Sequence, residues 1–198
     1  MATLNAGITR ERAYELLCEH NKDEFHIEHG ETLEGIMRYF AREYDPENEE
    51  FWGIAGLLHD LDWEEHDDEP EKHTVYAAQI LEPEGASPEL IRAIQSHNSD
   101  FNDELPEPEH TMEKILFATD ELSGLIQAAV LMRPSKSVMD FTVKSLKKKF
   151  KTKSFAAGCD REVITKGAEM LGWELPELFQ RTIEAMQSFA PDRDTFNA

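Results

Sequence analysis

The features that are scarce in this chain exclude several classes of protein. Only two cysteines occur, Cys18 and Cys159, far apart in sequence, and they provide neither a thiol metal motif nor a disulfide framework. No apolar run reaches 18 residues, so we expect no membrane span. The first residues lack the charged and then apolar order of a signal peptide. We therefore expect a reduced, cytoplasmic protein.

Positive charge is also scarce. The 198 residues include 20 lysines and arginines against 41 aspartates and glutamates, a net charge of −21. Such a charge disfavours nonspecific binding to nucleic acid or to anionic membranes, so we expect neither as a partner. It also disfavours a polyanionic substrate unless the binding site carries its own positive charge. The oligomeric state is left open.

Helical periodicity dominates the chain, and no segment shows the alternation of a β-strand. The length suits one domain, and we find no internal repeat or flexible linker. We therefore predict an all-α, single-domain helical bundle over residues 1–198. The predicted helices cover about residues 9–19, 29–44, 51–59, 73–81, 87–97, 111–132, 161–171 and 176–189, with polar loops at 62–71 and 98–110.

A histidine–aspartate pair, His59-Asp60, ends the most apolar of these helices. Burying an imidazole beside a carboxylate is costly unless something compensates both groups. A divalent metal ion does so, because imidazole nitrogen and carboxylate oxygen are ligands that such ions prefer. The negative end of the helix dipole favours a cation at the same place. The pair is therefore our first candidate metal site.

Four further candidates lie on or beside the core-facing side of other predicted helices: His29, His73, His97 and Asp120. Each alone is compatible with a hydrogen-bonded core residue. As a set on converging helices they are harder to explain in that way, since each would need its own buried partner. His26, one turn before His29, is the rival ligand on its helix. Three histidines are interpreted as solvated: His20, His66 and His110.

The order histidine, His-Asp, histidine, histidine, aspartate resembles the HD-domain superfamily of metal-dependent phosphohydrolases. The resemblance covers about residues 25–125, with 126–198 as a C-terminal helical extension. The matching segments are His29-Gly30-Glu31-Thr32-Leu33-Glu34, Gly56-Leu57-Leu58-His59-Asp60 and Ala118-Thr119-Asp120-Glu121-Leu122. The lysine-rich segment 144–150 is similar to one in an uncharacterised bacterial subgroup.

The resemblance implies roles for these residues. Four match the metal-binding positions of the family: His29, His59, Asp60 and Asp120. His73 and His97 match two extra histidines of members with two metals, in which the Asp60 position bridges the ions.

Two branches of the superfamily fit this sequence poorly. The cyclic-dinucleotide phosphodiesterases have a lysine shortly after His-Asp and a Gly-Tyr-Pro signature, both missing here. The deoxynucleotidases have a catalytic acid where this chain has Trp63; neither Asp62 nor Glu64 can be given that role from sequence.

We therefore expect a metal-dependent phosphohydrolase that cleaves a small phosphate ester or nucleotide with metal-activated water. The donors suit one or two ions of manganese, iron, nickel, cobalt or zinc. Asp60, His73 and His97 are the expected catalytic residues. With a single ion, the two histidines would instead contact phosphate or protonate the leaving oxygen.

A lysine cluster is the candidate for substrate phosphate. Six lysines fall between residues 144 and 153. Lys148, Lys149 and Lys153 are the expected phosphate-binding residues, and a solvated helix face is the competing interpretation. Two other functions stay open: a di-iron oxygenase of the same superfamily, and a non-catalytic metal-binding regulatory module.

Overall fold

The computed structural model describes residues 3–189, which contain helices and no β-strand, so the all-α prediction is confirmed. The α-helices are α1 (Arg10–His20), α2 (Glu24–Tyr44), α3 (Glu49–Leu58), α4 (Trp63–His66), α5 (Val75–Leu81), α6 (Pro88–Ser96), α7 (Thr111–Leu131), α8 (Val143–Lys151), α9 (Arg161–Leu171) and α10 (Leu175–Phe189). Short 3-10 turns lie at Pro46–Asn48 and Val138–Asp140. Across residues 3–189, no helix combines the length and the apolar character needed to cross a membrane.

Side-chain caps explain where several helices begin. Ser87 accepts a hydrogen bond from the backbone N–H of Leu90 at the start of α6, as the sequence predicts. Asp23 accepts from the N–H of Phe25, so α2 begins five residues before the predicted His29. Helix α2 therefore presents His26 and His29 from consecutive turns.

Two predictions around residues 62–81 are wrong. The predicted acidic loop contains a helical turn, α4, which brings Glu64 within reach of the backbone N–H groups of Lys22 and Asp23. The predicted helix from His73 instead begins at Val75, because Thr74 adopts φ 68°, a left-handed conformation that breaks the helix. His73 consequently lies in the turn before α5.

The chain forms two compact units, Met1–Leu116 and Phe117–Ala198. The prediction of a single domain over residues 1–198 stays a prediction. In the first unit, α3 is the central helix, and each residue from Phe51 to Leu58 is buried. Helix α2 packs directly on it: a Cβ placed on Gly56 would lie only 2.6 Å from the Leu33 carbonyl oxygen. This close contact brings α2 beside the end of α3, where His59 follows.

In the second unit, α8 and α10 are joined through the rings of Phe150 and Phe179, whose centroids lie 5.1 Å apart. Helix α9 lies against α7, where a Cβ on Gly167 would come within 2.5 Å of the Ala118 Cα. Asp160 caps α9 by accepting from two backbone N–H groups. The lysine-rich segment is thus a true helix, α8, with its apolar side held by Leu146.

Candidate metal centre

The apolar helix α3 delivers His59 to the core with a defined ring orientation. His59 is fully buried, and its Nδ1 lies 2.8 Å from the carbonyl oxygen of Gly56, one turn earlier. Because a carbonyl oxygen only accepts, Nδ1 carries the proton. In its neutral form the ring therefore presents a lone pair at Nε2, the form in which imidazole binds a metal ion.

A first group of donor atoms gathers around this nitrogen. Nε2 of His29 lies 3.2 Å from Nε2 of His59. Asp60 Oδ2 lies 3.6 Å from the His29 nitrogen and 3.4 Å from the His59 nitrogen. Metal–ligand bonds of about 2.0–2.2 Å place neighbouring ligand atoms about 3.0–3.4 Å apart. The three donors therefore have nearly the spacing of ligands that share one ion.

A second group uses the other oxygen of Asp60. His73 Nε2 lies 3.1 Å from Asp60 Oδ1 and 3.1 Å from Nε2 of His97, and His97 Nε2 lies 3.5 Å from Asp60 Oδ1. His97 Nδ1 is 2.6 Å from the Ile94 carbonyl oxygen, the arrangement also found at His59. His73 Nδ1 is 2.7 Å from Asp62 Oδ1. Both rings thus keep their Nδ1 protons, and their Nε2 atoms converge on a carboxylate. Three acceptors this close require a proton or a metal ion between them.

Asp60 joins the two groups. Oδ2 faces His29 and His59, and Oδ1 faces His73 and His97. Its side chain is 21% exposed, whereas the four histidines are nearly inaccessible, so solvent reaches the cluster at the shared carboxylate. The geometry is that of a carboxylate able to bridge two ions, and the nitrogen and oxygen donors fit a divalent transition metal.

The electrostatics agree with a cation site. Burial opposes ionisation of Asp60, but the charge of His59 and the hydrogen bonds from His73 and His97 outweigh it and hold the pKa of Asp60 well below its usual range. Burial likewise opposes protonation of His73, yet its hydrogen bonds to Asp60 and Asp62 raise its pKa to about 10. Without a metal ion, protons thus take the place of positive charge at the cluster.

The remaining histidines lie outside these groups. His26, the rival of His29, has its Nδ1 2.9 Å from Glu64 Oε2, and that hydrogen bond lowers the pKa of Glu64. His20 pairs with Glu65 at 3.2 Å, and His66 stacks on Tyr76 with a centroid distance of 3.8 Å. His20 and His66 are therefore half-buried rather than fully solvated, while His110 is exposed as predicted.

Asp62 is the residue that sequence reasoning left unassigned. Its side chain is fully buried, and it accepts hydrogen bonds from His73 and from two backbone N–H groups. The only signal in the sequence is its position two residues after Asp60. Nothing there tells whether its side chain points inward.

The other predicted site residues belong to the second unit. Asp120 is half-buried on α7, and its carbonyl oxygen accepts from Ser123 Oγ at 2.9 Å. Lys148 and Lys153 are exposed, and Lys149 Nζ lies 4.0 Å from the centroid of the Phe155 ring. Their roles as metal ligand and phosphate-binding residues stay predictions.

Two histidine-rich groups that share one aspartate make this a helical protein whose cluster could hold metal ions. The chain matches the family model of the HD domain over residues 26–125, and it belongs to that family. HD-domain proteins are mostly metal-dependent hydrolases. Comparison with curated proteins and with solved structures finds no match.

Proposed function

We propose that this protein is a metal-dependent phosphohydrolase acting on a small phosphate ester or nucleotide. The observation that carries the proposal is the convergence of four imidazole nitrogens on the two oxygens of Asp60. Imidazole nitrogens and carboxylate oxygens are ligands that divalent transition-metal ions prefer. Burying the same groups in an apolar core without an ion is costly. Membership of the HD-domain family supports hydrolysis as the use of that ion.

The residues of the first unit have distinct parts in this proposal. His29, His59 and Asp60 would hold the ion, with Asp120 as a fourth ligand by resemblance to the family, whose matched range includes it. When bound, a divalent ion supplies a Lewis acid that polarises the phosphoryl oxygen and lowers the pKa of water. The fully buried His59 excludes solvent from the inner side, and the exposed edge of Asp60 leaves access for substrate.

His73 and His97 have two possible uses, which the number of bound ions distinguishes. With two ions, their Nε2 atoms and Asp60 Oδ1 would hold the second. With one ion, they would contact phosphate or give a proton to the leaving oxygen. That proton is required because the bond from phosphorus to the leaving oxygen breaks as the bond from phosphorus to water forms. In either case we assign phosphate contact in the second unit to Lys148, Lys149 and Lys153.

The shared carboxylate also favours one other candidate, a di-iron oxygenase. Both oxygens of Asp60 have their own pair of histidines, as two irons would need. Protein loaded with iron under anaerobic conditions would then consume oxygen when exposed to it. Binding of a single ion per chain would eliminate this candidate.

The test is elemental analysis of the purified protein followed by assay against a panel of phosphate esters and nucleotides. We expect His59→Ala to lose the ion and to lower activity by about 1000-fold, the effect of removing several kcal/mol of transition-state stabilisation. His20→Ala is the matched control, because His20 lies in the same unit but pairs only at the surface with Glu65.

Full metal content and full activity in His59→Ala would refute the assignment. A wild-type protein that holds its ion but hydrolyses nothing in the panel would instead favour a non-catalytic, metal-binding regulatory module.

A further inference from the structure

We propose that Asp62 is a positioning residue for the metal centre: it fixes the ring of His73 so that Nε2, and not Nδ1, is offered to a second ion. This inference rests on the proposed metal site but not on the reaction that the site performs. It assigns a role to a residue that is neither a donor to the cluster nor a catalytic residue.

The Asp62 carboxylate is fully engaged in the interior. Oδ1 accepts from His73 Nδ1 at 2.7 Å, and Oδ2 accepts from the backbone N–H groups of Thr74 and Ala77, each at 2.9 Å. Its side chain has no exposed surface. A buried carboxylate is costly unless its lone pairs are satisfied, and three hydrogen bonds satisfy this one. The arrangement is therefore rigid.

His73 needs this support more than the other histidines of the cluster. His59 and His97 each follow the last residue of a helix, α3 and α6, and each ring is held by a carbonyl oxygen three residues earlier. That support comes from the local backbone. His73 lies in the turn before α5, where Thr74 has a left-handed conformation, and its support comes from a side chain eleven residues earlier.

Asp62 also orients the backbone that carries His73. By binding the N–H groups of Thr74 and Ala77, it ties the first turn of α5 to the segment that follows Asp60. Asn98 adds a second tie, because its Nδ2 donates to the His73 carbonyl oxygen at 3.0 Å. Ring and backbone of His73 are thus both held, and the Nε2 atom comes within 3.1 Å of Asp60 Oδ1.

A carboxylate that accepts a hydrogen bond from the far nitrogen of a metal-binding histidine affects that histidine more strongly than a carbonyl oxygen does. It fixes the proton on the far nitrogen, makes the near nitrogen more basic and adds negative charge close to the ion. We therefore expect the Asp60–His73–His97 group to depend on Asp62 for metal affinity. The His29–His59–Asp60 group does not touch Asp62 and should not depend on it.

The variant Asp62→Asn separates this role from mere packing. The amide oxygen can still accept from Thr74 and Ala77, which leaves the amide NH2 facing His73 Nδ1. Since that NH2 only donates, a hydrogen bond forms only if Nδ1 gives up its proton. The neutral ring then carries its proton on Nε2, and a protonated nitrogen cannot bind a metal ion.

The experiment is a zinc titration with elemental analysis of wild-type protein and three variants. We expect wild type to bind two ions per chain. Asp62→Asn should keep the first ion with unchanged affinity and bind the second about 100-fold more weakly. His73→Ala should lose the same ion. Asp45→Asn is the matched control, since Asp45 is another carboxylate of the first unit that accepts from side-chain amide and indole N–H groups away from the cluster.

A second measurement does not depend on ion counting. In nitrogen-15 NMR spectra of proteins loaded with one zinc ion per chain, so that the second site is empty, Nδ1 of His73 should be protonated in wild type and unprotonated in Asp62→Asn. A packing defect alone would not move that proton.

Two results would overturn the proposal: binding of two ions with unchanged affinity by Asp62→Asn, or a wild-type protein that binds one ion only. Failure of the proposed function looks different. It would appear as absence of the ion held by His29, His59 and Asp60, or as absence of phosphoester hydrolysis in fully loaded protein.

Discussion

The two units of this protein differ sharply in charge and in chemistry. Residues 1–116 contain 30 acidic and 8 basic residues, whereas residues 117–198 contain 11 acidic and 12 basic residues. All eight histidines of the chain belong to the first unit. The net charge of −21 is therefore a property of the unit that carries the candidate metal centre. A strongly negative unit attracts divalent cations, and a nearly neutral one does not repel an anionic substrate.

The units also differ in how their charges are paired. In the first unit, Glu34 is almost buried and binds both Arg10 and Arg38. In the second unit, none of the six lysines between residues 144 and 153 forms an ion pair within the part of the chain that the structure describes. Charges in ion pairs contribute to the fold. The positive charge of these lysines, which is not used in ion pairs, can attract an anionic ligand.

The largest effect we expect concerns Cys159, a half-buried thiol of the second unit. Burial, followed by the charge of Glu121, raises the pKa of Cys159 from its ordinary 9.0 to about 12. The thiolate is the reactive form, so at pH 8 the folded protein should react with iodoacetamide at Cys159 about 1000-fold more slowly than the unfolded protein. The rate should rise only as the pH approaches 12.

The measurement is mass spectrometry of alkylated protein in which Cys18→Ser leaves a single thiol. Alkylation of folded and urea-unfolded protein at the same rate would contradict the prediction.

A pair of glycine substitutions sharpens the comparison of the two units. In Gly56→Ala the new Cβ would meet the Leu33 carbonyl oxygen at 2.6 Å, and in Gly167→Ala it would meet the Ala118 Cα at 2.5 Å. Both contacts join helices inside one unit, so each variant should lower the free energy of unfolding by about 1–3 kcal/mol. Gly56→Ala should also weaken zinc binding, because it moves α2, and with it His29, relative to His59. Gly167→Ala presses on Ala118, two residues before the proposed ligand Asp120, and tests that ligand in the same way.

Urea unfolding and zinc titration check the two effects separately. Unchanged zinc affinity in Gly56→Ala, despite a lower free energy of unfolding, would contradict the prediction.

The smallest effect concerns the lysines of α8. Lys148→Glu with Lys149→Glu should raise the KM for a phosphorylated substrate about 10-fold, since two attractive charges become repulsive, and should leave metal content unchanged. Lys144→Glu with Lys147→Glu makes the same change of charge on the same helix. If both pairs of substitutions raise the KM equally, α8 contributes only a general positive electrostatic field and no specific phosphate contact. An unchanged KM in the first pair would remove these lysines from the site.

Much of the donor set was predictable because its members stand out locally. His59 and Asp60 directly follow a run of buried apolar residues, Phe51 to Leu58, so the pair was expected at the end of a buried helix. His97 ends an amphipathic helix with Leu90 and Ile94 buried on the same side. These residues lie together in the structure as predicted, because helical periodicity dictates which side of an element is buried.

The surroundings of His73 were not predictable in the same way. The stripe of apolar residues after it indicated a helix from His73 onward, but the left-handed Thr74 places the histidine outside that helix. The reason lies in Asp62, whose carboxylate binds the N–H groups that a helix beginning at His73 would arrange differently. No local sequence pattern links Asp62 to His73, which lies eleven residues later.

The amino-acid sequence alone determined the all-α class, most of the helices, the burial of α3 and the candidate donors, because hydrogen bonding and apolar periodicity act between residues a few positions apart. Only the tertiary structure decided which nitrogen of each imidazole faces Asp60. That choice depends on the partner of the opposite ring nitrogen, and for His73 the partner comes from a distant segment and meets it only in the folded chain.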